Sequence, residues 1–198
     1  NPFLSMRGMH GQGYEADLAC APGGSLIRLV ESNGMRVILF RHLVQPLHPA
    51  RDTLALLGLI RYLKKVPYHI VHTHNSKAGF LGRLAGRAAG VPGIVHTVHG
   101  FSFHDQEPLW RRTLFRNLER MASRWCDRMI FISRPLLDWA IREGVTKQEK
   151  SVTIHSGIEL NRCVPVSEEE KGRLMERWGL GREAPVVGIV DRLEAQAL

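Results

Sequence analysis

Two short histidine clusters carry the residue types in this sequence best suited to chemistry: His72-Thr73-His74, and His96-Thr97-Val98-His99 followed by Gly100. An imidazole titrates near neutrality, so it can ligate a metal, move a proton or hydrogen-bond a hydroxyl. An H-x-H pair at a strand end is a spacing some metallohydrolases use, and His96 and His99 could add ligands. Against a metal stand the missing H-E-x-x-H and H-x-x-E-H patterns and a shortage of carboxylates, with only Asp105 and Glu107 following. Metal is therefore not expected, and His72 and His96 read as structural histidines of a sheet. His99 differs, because the adjacent Gly100 lets backbone approach a ligand closely. A second candidate is Asn75-Ser76-Lys77-Ala78-Gly79. Backbone N–H groups and Lys77 at a helix start suit a phosphate or carboxylate. Plain capping by Asn75 or Ser76 explains the same residues, and the P-loop spacing is absent. No G-x-S-x-G elbow occurs, and no cysteine sits beside a candidate base.

These residues need a scaffold, and the flanking pattern supplies one. Ile70-Val71 and Ile94–Val98 are short β-branched runs, each leading into histidines. Residues 76–90 between them read as a helix, N-capped by Ser76 and stopped at Gly90-Val91-Pro92. Strand, helix, strand in this space is a βαβ unit, with parallel strands and a right-handed crossover. Ligands of open parallel sheets bind beyond the carboxyl ends of the strands, which is where His72, His74 and His99 fall.

The same alternation runs along the chain. Residues 1–13 resemble the frayed end of a helix. Strands are expected at 16–20, 37–40, 129–132 and 152–154, and helices at 26–32, 52–65, 108–126 and 135–143. Asp52 caps or precedes the first turn of the helix at 52–65, and Lys64 and Lys65 close its last. Without hairpin signals, this is an α/β chain with a doubly wound, Rossmann-like parallel sheet. Residues 161–166 resemble a linker. Ser167 with Glu170 forms a capping box opening a helix to Trp178, and 185–190 (PVVGIV) is a buried-strand run. The expected organisation is one Rossmann-like domain over 1–160, a linker and helix over 161–184, and the first strand of a second domain over 185–198.

Composition narrows the setting. With 44% apolar and 23% charged residues, the chain can bury a core. No apolar run approaches a membrane span, and no secretory pattern opens the chain. Cys20, Cys126 and Cys163 form no C-x-x-C pair, which fits a reducing cytoplasm. A net charge of +8 favours an anionic partner. Nucleic acid is not expected, because no recognition signature accompanies the charge. Arg112, Arg116, Arg120 and Arg124 recur every four residues along one helix, with Leu114, Phe115, Leu118, Met121 and Trp125 as its apolar face. The plain reading is a solvated basic face docked on a sheet through the apolar one. A basic amphipathic helix also suits an anionic membrane surface.

Four blocks taken together resemble the family-4 glycosyltransferases of the GT-B fold: VHTHNSKAGFLGRLAGRAAGVPGIVHTVHGFSF, FISRPLLDWAIREGV, VTIHSGIEL and VVGIVDRL. The resemblance covers nearly the whole chain. It implies two Rossmann-like domains facing across a cleft, the N-terminal one on the acceptor side and the C-terminal one holding a nucleotide-sugar donor. It implies sugar transfer with retention, a nucleotide-diphosphate sugar as substrate, and no metal or other cofactor. His99 matches the histidine that contacts the transferred sugar, with Gly100 beside it on the donor side. Arg192 matches the arginine that holds the donor diphosphate, where a cationic fork suits the departing charge. His74, Asn75, Ser76 and Lys77 are then acceptor-side candidates. Asp191, Ala197 and Leu198 stand where the family pattern has glycine, lysine and glycine. The resemblance further implies an acceptor domain lacking its first strand, followed by a stub of the donor domain. Such a piece is expected to be inactive alone. The parent would act in cell-surface polysaccharide or glycolipid assembly, on a glycan or lipid-linked acceptor, in the cytoplasm or at the inner face of the plasma membrane. Two alternatives stand beside it: a nucleotide-sugar 2-epimerase of the same fold, and a basic peripheral-membrane binding module.

Overall fold

A computed structural model describes residues 2–101, 103, 108–160, 164–181 and 185–186. It divides into two compact units, residues 1–157 and 158–198. In the first, helices and strands alternate as α1 (Pro2–His10), β1 (Leu18–Cys20), α2 (Ser25–Glu31), β2 (Val37–Leu39), α3 (Pro49–Lys65), β3 (Ile70–His74), α4 (Ser76–Ala89), β4 (Gly93–Val98), α5 (Leu109–Ser123), β5 (Arg128–Phe131), α6 (Arg134–Arg142) and β6 (Ser151–Thr153).

Every strand pairing among the described residues is parallel, as helical crossovers require. The strands make two ladders, β1-β2 and β3-β4-β5-β6, rather than one continuous sheet. Side chains tie the two ladders together instead. Asp17 ahead of β1 accepts hydrogen bonds from Arg36, ahead of β2, and from the Tyr68 hydroxyl, ahead of β3. Burial opposes a charge at Asp17, but the hydrogen bonds from Arg36 and Tyr68 and the positive charge of Arg36 hold its carboxyl below its ordinary pKa.

Local chemistry sets the helix ends. Pro49 opens α3 at a position that needs no N–H. The His48 ring accepts from the Arg51 N–H, while Asp52 accepts from the His48 N–H at 3.1 Å. Asp52 is therefore inside the first turn of α3, answering the cap rather than serving as it. Likewise Ser76 is the first residue of α4 and not its cap. The cap position is Asn75, at φ 63° and without a side-chain capping bond. Gly90, left-handed at φ 75°, ends α4 as the Gly-Val-Pro stop requires.

Helix α4 lies on the β3–β4 pair through a glycine face. A Cβ on Gly79 would stand 2.5 Å from the His96 ring, and one on Gly82 2.7 Å from the Thr73 methyl. The larger apolar cluster joins Ile94 and Val98 of β4, Met129 and Phe131 of β5, and Leu137 and Ala140 of α6. A second, Ala55, Leu59, Leu81 and Ala85, packs α3 on α4. Within α4, Arg83 is fully buried. It donates to the Gly79 carbonyl and to Glu119 of α5, each at 2.9 Å.

Helix α5 keeps only part of the expected orientation: Phe115, Leu118 and Trp125 of its apolar face are half-buried, Phe115 against the larger cluster, but its arginine ridge is not a solvated face. Arg112, Arg116 and Arg120 are half-buried and converge on Glu143, which follows α6. The first two bind its carboxylate at 3.3 and 3.1 Å, and Arg120 donates twice to its backbone carbonyl. Three guanidinium groups thus clamp a helix C-terminus, whose dipole and carboxylate attract cations. The Glu143 carboxyl is held below its usual range by Arg116. Leu109, Trp110, Leu114 and Met121 are left exposed as a result. The arginine ridge and the apolar residues share one helical period, so period alone could not say which face turns inward.

Among the described residues, Cys20 and Cys126 are free thiols, and no helix is long and apolar enough to cross a membrane. In the second unit, α7 (Glu168–Arg177) is capped by the Ser167 hydroxyl, which accepts from the Glu170 N–H at 3.2 Å. The run at 185–190 and the residues after it lie outside the described residues, apart from 185 and 186.

Candidate functional site

The β3–β4 register decides which residues share a face. His74 lies opposite Thr97 and His72 opposite Val95. Side chains alternate along a strand, so His72, His74 and Thr97 share one face, and Thr73, His96 and Val98 face α4. The four histidines accordingly separate into two environments.

His96 belongs to the α4 side. It is almost fully buried, and its Nδ1 lies 2.8 Å from the Thr73 hydroxyl, which also donates to the Val95 carbonyl. Burial, then the nearby Arg83 charge, keeps its ring neutral. This is the structural histidine that the sheet pattern predicts.

On the opposite face the rings form a chain. His72 Nε2 lies 2.8 Å from the Thr97 hydroxyl. The His72 and His74 rings pack against each other with centroids 4.4 Å apart and planes tilted by 34°. Nδ1 of His74 then meets Nε2 of His99 at 3.1 Å, just past the end of β4. Burial lowers the pKa of all three. His74 is pushed down to about 3, first by burial and then by its neighbours His72 and His99. The result is a row of neutral imidazoles at the carboxyl ends of two parallel strands. Neutral rings donate at one nitrogen and accept at the other, which suits a ligand rich in hydroxyls. A Cβ on Gly100 would meet nothing within 4 Å, so the backbone beside His99 is open.

The neighbouring candidates are placed as follows. Asn75 makes the left-handed step between β3 and α4. Ser76 and Lys77 start the helix. Lys77 Nζ bridges to Asp52 of α3 and to the Pro46 carbonyl, both at 2.5 Å, so its charge is answered within the fold and it fixes α4 against α3. Arg192 lies outside the described residues. Residue type alone gives Thr97 and Thr73 no role, although their alternation with histidine in H-x-x-H and H-T-H is visible in the sequence. Among the described residues no group of three or more His, Cys, Asp or Glu side chains is arranged to hold a metal ion.

A family model, Glycosyltransferase Family 4, matches residues 6–162, which include every element of this site. The chain belongs to glycosyltransferase family 4. Among curated relatives, the Escherichia coli UDP-Gal:alpha-D-GlcNAc-diphosphoundecaprenol alpha-1,3-galactosyltransferase is 34% identical over 184 residues, covering 92% of this chain and 47% of its own. Among solved structures, a glycosyltransferase from Rickettsia africae ESF-5 superposes with a TM-score of 0.64 at 15% identity, over 90% of this chain and 45% of that one. Anabaena HepE in complex with UDP gives 0.61 at 17% identity, over 84% and 43%. At those identities the structures speak to the fold alone, and they agree with a Rossmann-like α/β unit of GT-B type. This family-4 chain spans about half the length of these proteins.

Proposed function

We propose that the protein carrying this chain is a retaining hexosyltransferase that moves a sugar from a nucleotide-diphosphate donor to a lipid-diphosphate-linked saccharide. The observation that carries this reading is the likeness to the Escherichia coli galactosyltransferase, whose name specifies a UDP-sugar and a diphosphoundecaprenol acceptor, across 92% of the chain. In the transfer, the bond from the anomeric carbon to the donor diphosphate breaks. A bond to an acceptor hydroxyl oxygen forms on the same face, and the hydroxyl proton passes to the departing phosphate. No protein nucleophile is required. His99, neutral and beside open backbone at Gly100, is the residue assigned to the transferred sugar. Arg192 is assigned to the donor diphosphate, and His74, Asn75, Ser76 and Lys77 to the acceptor side. The reaction so written calls on no metal or other cofactor.

A lipid-linked acceptor places the enzyme at a membrane surface, in this reading the inner face of the plasma membrane. Helix α5 supports that placement, because it exposes Leu109, Trp110 and Leu114 and carries exposed Arg111 and, at its C-terminal end, exposed Arg124. Interfacial helices combine apolar anchors with basic neighbours in this way. The test is an assay of the full-length protein with a lipid-diphosphate saccharide acceptor and a panel of nucleotide sugars. Product requiring one nucleotide sugar supports the proposal, and no transfer from any donor overturns it.

A further inference from the structure

The contact between His74 and His99 constrains more than position. The two nitrogens stand 3.1 Å apart and burial disfavours the charged form of each ring, so a single proton lies between Nδ1 of His74 and Nε2 of His99. The placement of that proton fixes both tautomers at once. If His74 donates, His99 must carry its own proton on Nδ1. If His99 donates, its Nδ1 is a bare lone pair. The second arrangement gives each ring an Nε2–H, the commoner form of a free neutral histidine side chain. The surroundings also hold the His74 ring in place. It packs against His72, which is itself fixed by the Thr97 hydroxyl across the ladder.

We infer that His74 is a positioning residue for His99: its Nδ1 accepts the Nε2–H of His99, fixes that ring's orientation, and leaves the His99 Nδ1 lone pair to accept a hydrogen bond from a ligand hydroxyl. The role of that lone pair toward a sugar rests on the proposed transferase reading; the proton arrangement does not. His72 and Thr97 act one and two contacts further back, as a brace for the His74 ring. The arrangement gives the H-x-H spacing of β3 a purpose other than metal binding, since its first histidine buttresses the second and the second aims His99.

Nitrogen-15 spectra of the imidazoles, recorded on the uniformly labelled chain at neutral pH, test this without any transfer assay. Failure of the glycosyltransferase reading would therefore leave the result intact. In the unaltered chain His99 should show a protonated Nε2 and an unprotonated Nδ1, with slowed exchange of the Nε2 proton. His74→Leu should mix the His99 tautomers by roughly five-fold, the scale of one ordinary hydrogen bond, and speed that exchange. His74→Asn, whose side-chain oxygen stands near the lost Nδ1, should restore the Nε2–H form. A His99 protonated on Nδ1 in the unaltered chain overturns the inference, as does a His99 spectrum that His74→Leu leaves unchanged. Should His74→Leu fail to fold, the unaltered chain and His74→Asn still decide it.

Discussion

Gly79, in the first turn of α4, lies against the imidazole of His96 on β4, so closely that a Cβ would stand 2.5 Å from Cε1 and 3.0 Å from Nδ1 of that ring. The missing side chain lets the start of α4 settle onto the face of the sheet that carries His96 and Thr73. Gly82, one turn on, does the same over Thr73, where a Cβ would meet the methyl at 2.7 Å. Alanine at either position should destabilise the chain by about 1–3 kcal/mol, the usual cost of overpacking a filled core. Denaturant unfolding of Gly79→Ala and Gly82→Ala checks this. Unchanged midpoints would mean that α4 sits further from the sheet than described.

Buried neutral histidines make stability depend on pH in a definite sense. The pKa values of His72, His74, His96 and His99 all lie below the ordinary value, and that of His74 is about 3. An unfolded chain takes up these protons near pH 6.5, while the folded chain resists. Between pH 6.5 and about 3 the unfolded state therefore binds more protons, and stability rises with pH. The melting temperature should hold level above neutrality and fall steadily as pH drops below 6.5. His74→Phe should flatten part of that slope. A profile independent of pH over this window contradicts neutral burial of the row.

Arg83 and Glu119 form a buried ion pair at 2.9 Å between α4 and α5. Removing one partner strands the other charge, so Arg83→Met should cost about 3–5 kcal/mol. The double replacement Arg83→Met with Glu119→Met should lose less, because no uncompensated charge remains. Equal losses in the single and double variants, measured by chemical denaturation, would show that packing rather than charge dominates at this contact.

The outward face of α5 makes a separate prediction. The chain should co-sediment with vesicles containing anionic phospholipid and be released by salt, since screening weakens the basic contribution. Trp110→Ser with Leu114→Ser should weaken binding several-fold without altering the fold, because both residues are exposed. Equal binding to neutral and anionic vesicles would remove the electrostatic part of the argument.

The βαβ core was legible because its signals are local. Branched strands, a Gly-Val-Pro stop and histidines at strand ends are all read within neighbouring residues. Contacts between distant residues were not. Nothing near Arg83 announces Glu119, and nothing in the ridge Arg112-Arg116-Arg120 announces Glu143, some 23 to 31 residues later. That hidden partner draws the ridge of α5 into the fold, where a solvated face is expected. Asn75 and Lys77 show the same limit at smaller scale. Their types suggested a cap and an anion site, yet Asn75 serves through a backbone turn and Lys77 pairs with Asp52 of a different helix. At the site, His99 stood out from its glycine neighbour. Its hydrogen bond to His74 depended on strand register, which the two separate runs could not supply.

In the proposed transferase, the carboxyl ends of β3 and β4 serve sugar transfer through His99. The most direct measurement compares the full-length protein with its His99→Ala variant, using a nucleotide sugar and a lipid-diphosphate saccharide. His99→Ala should lose transfer rate by at least about a hundred-fold, with vesicle binding and melting temperature unchanged. Transfer at the unaltered rate by a folded His99→Ala protein would contradict it.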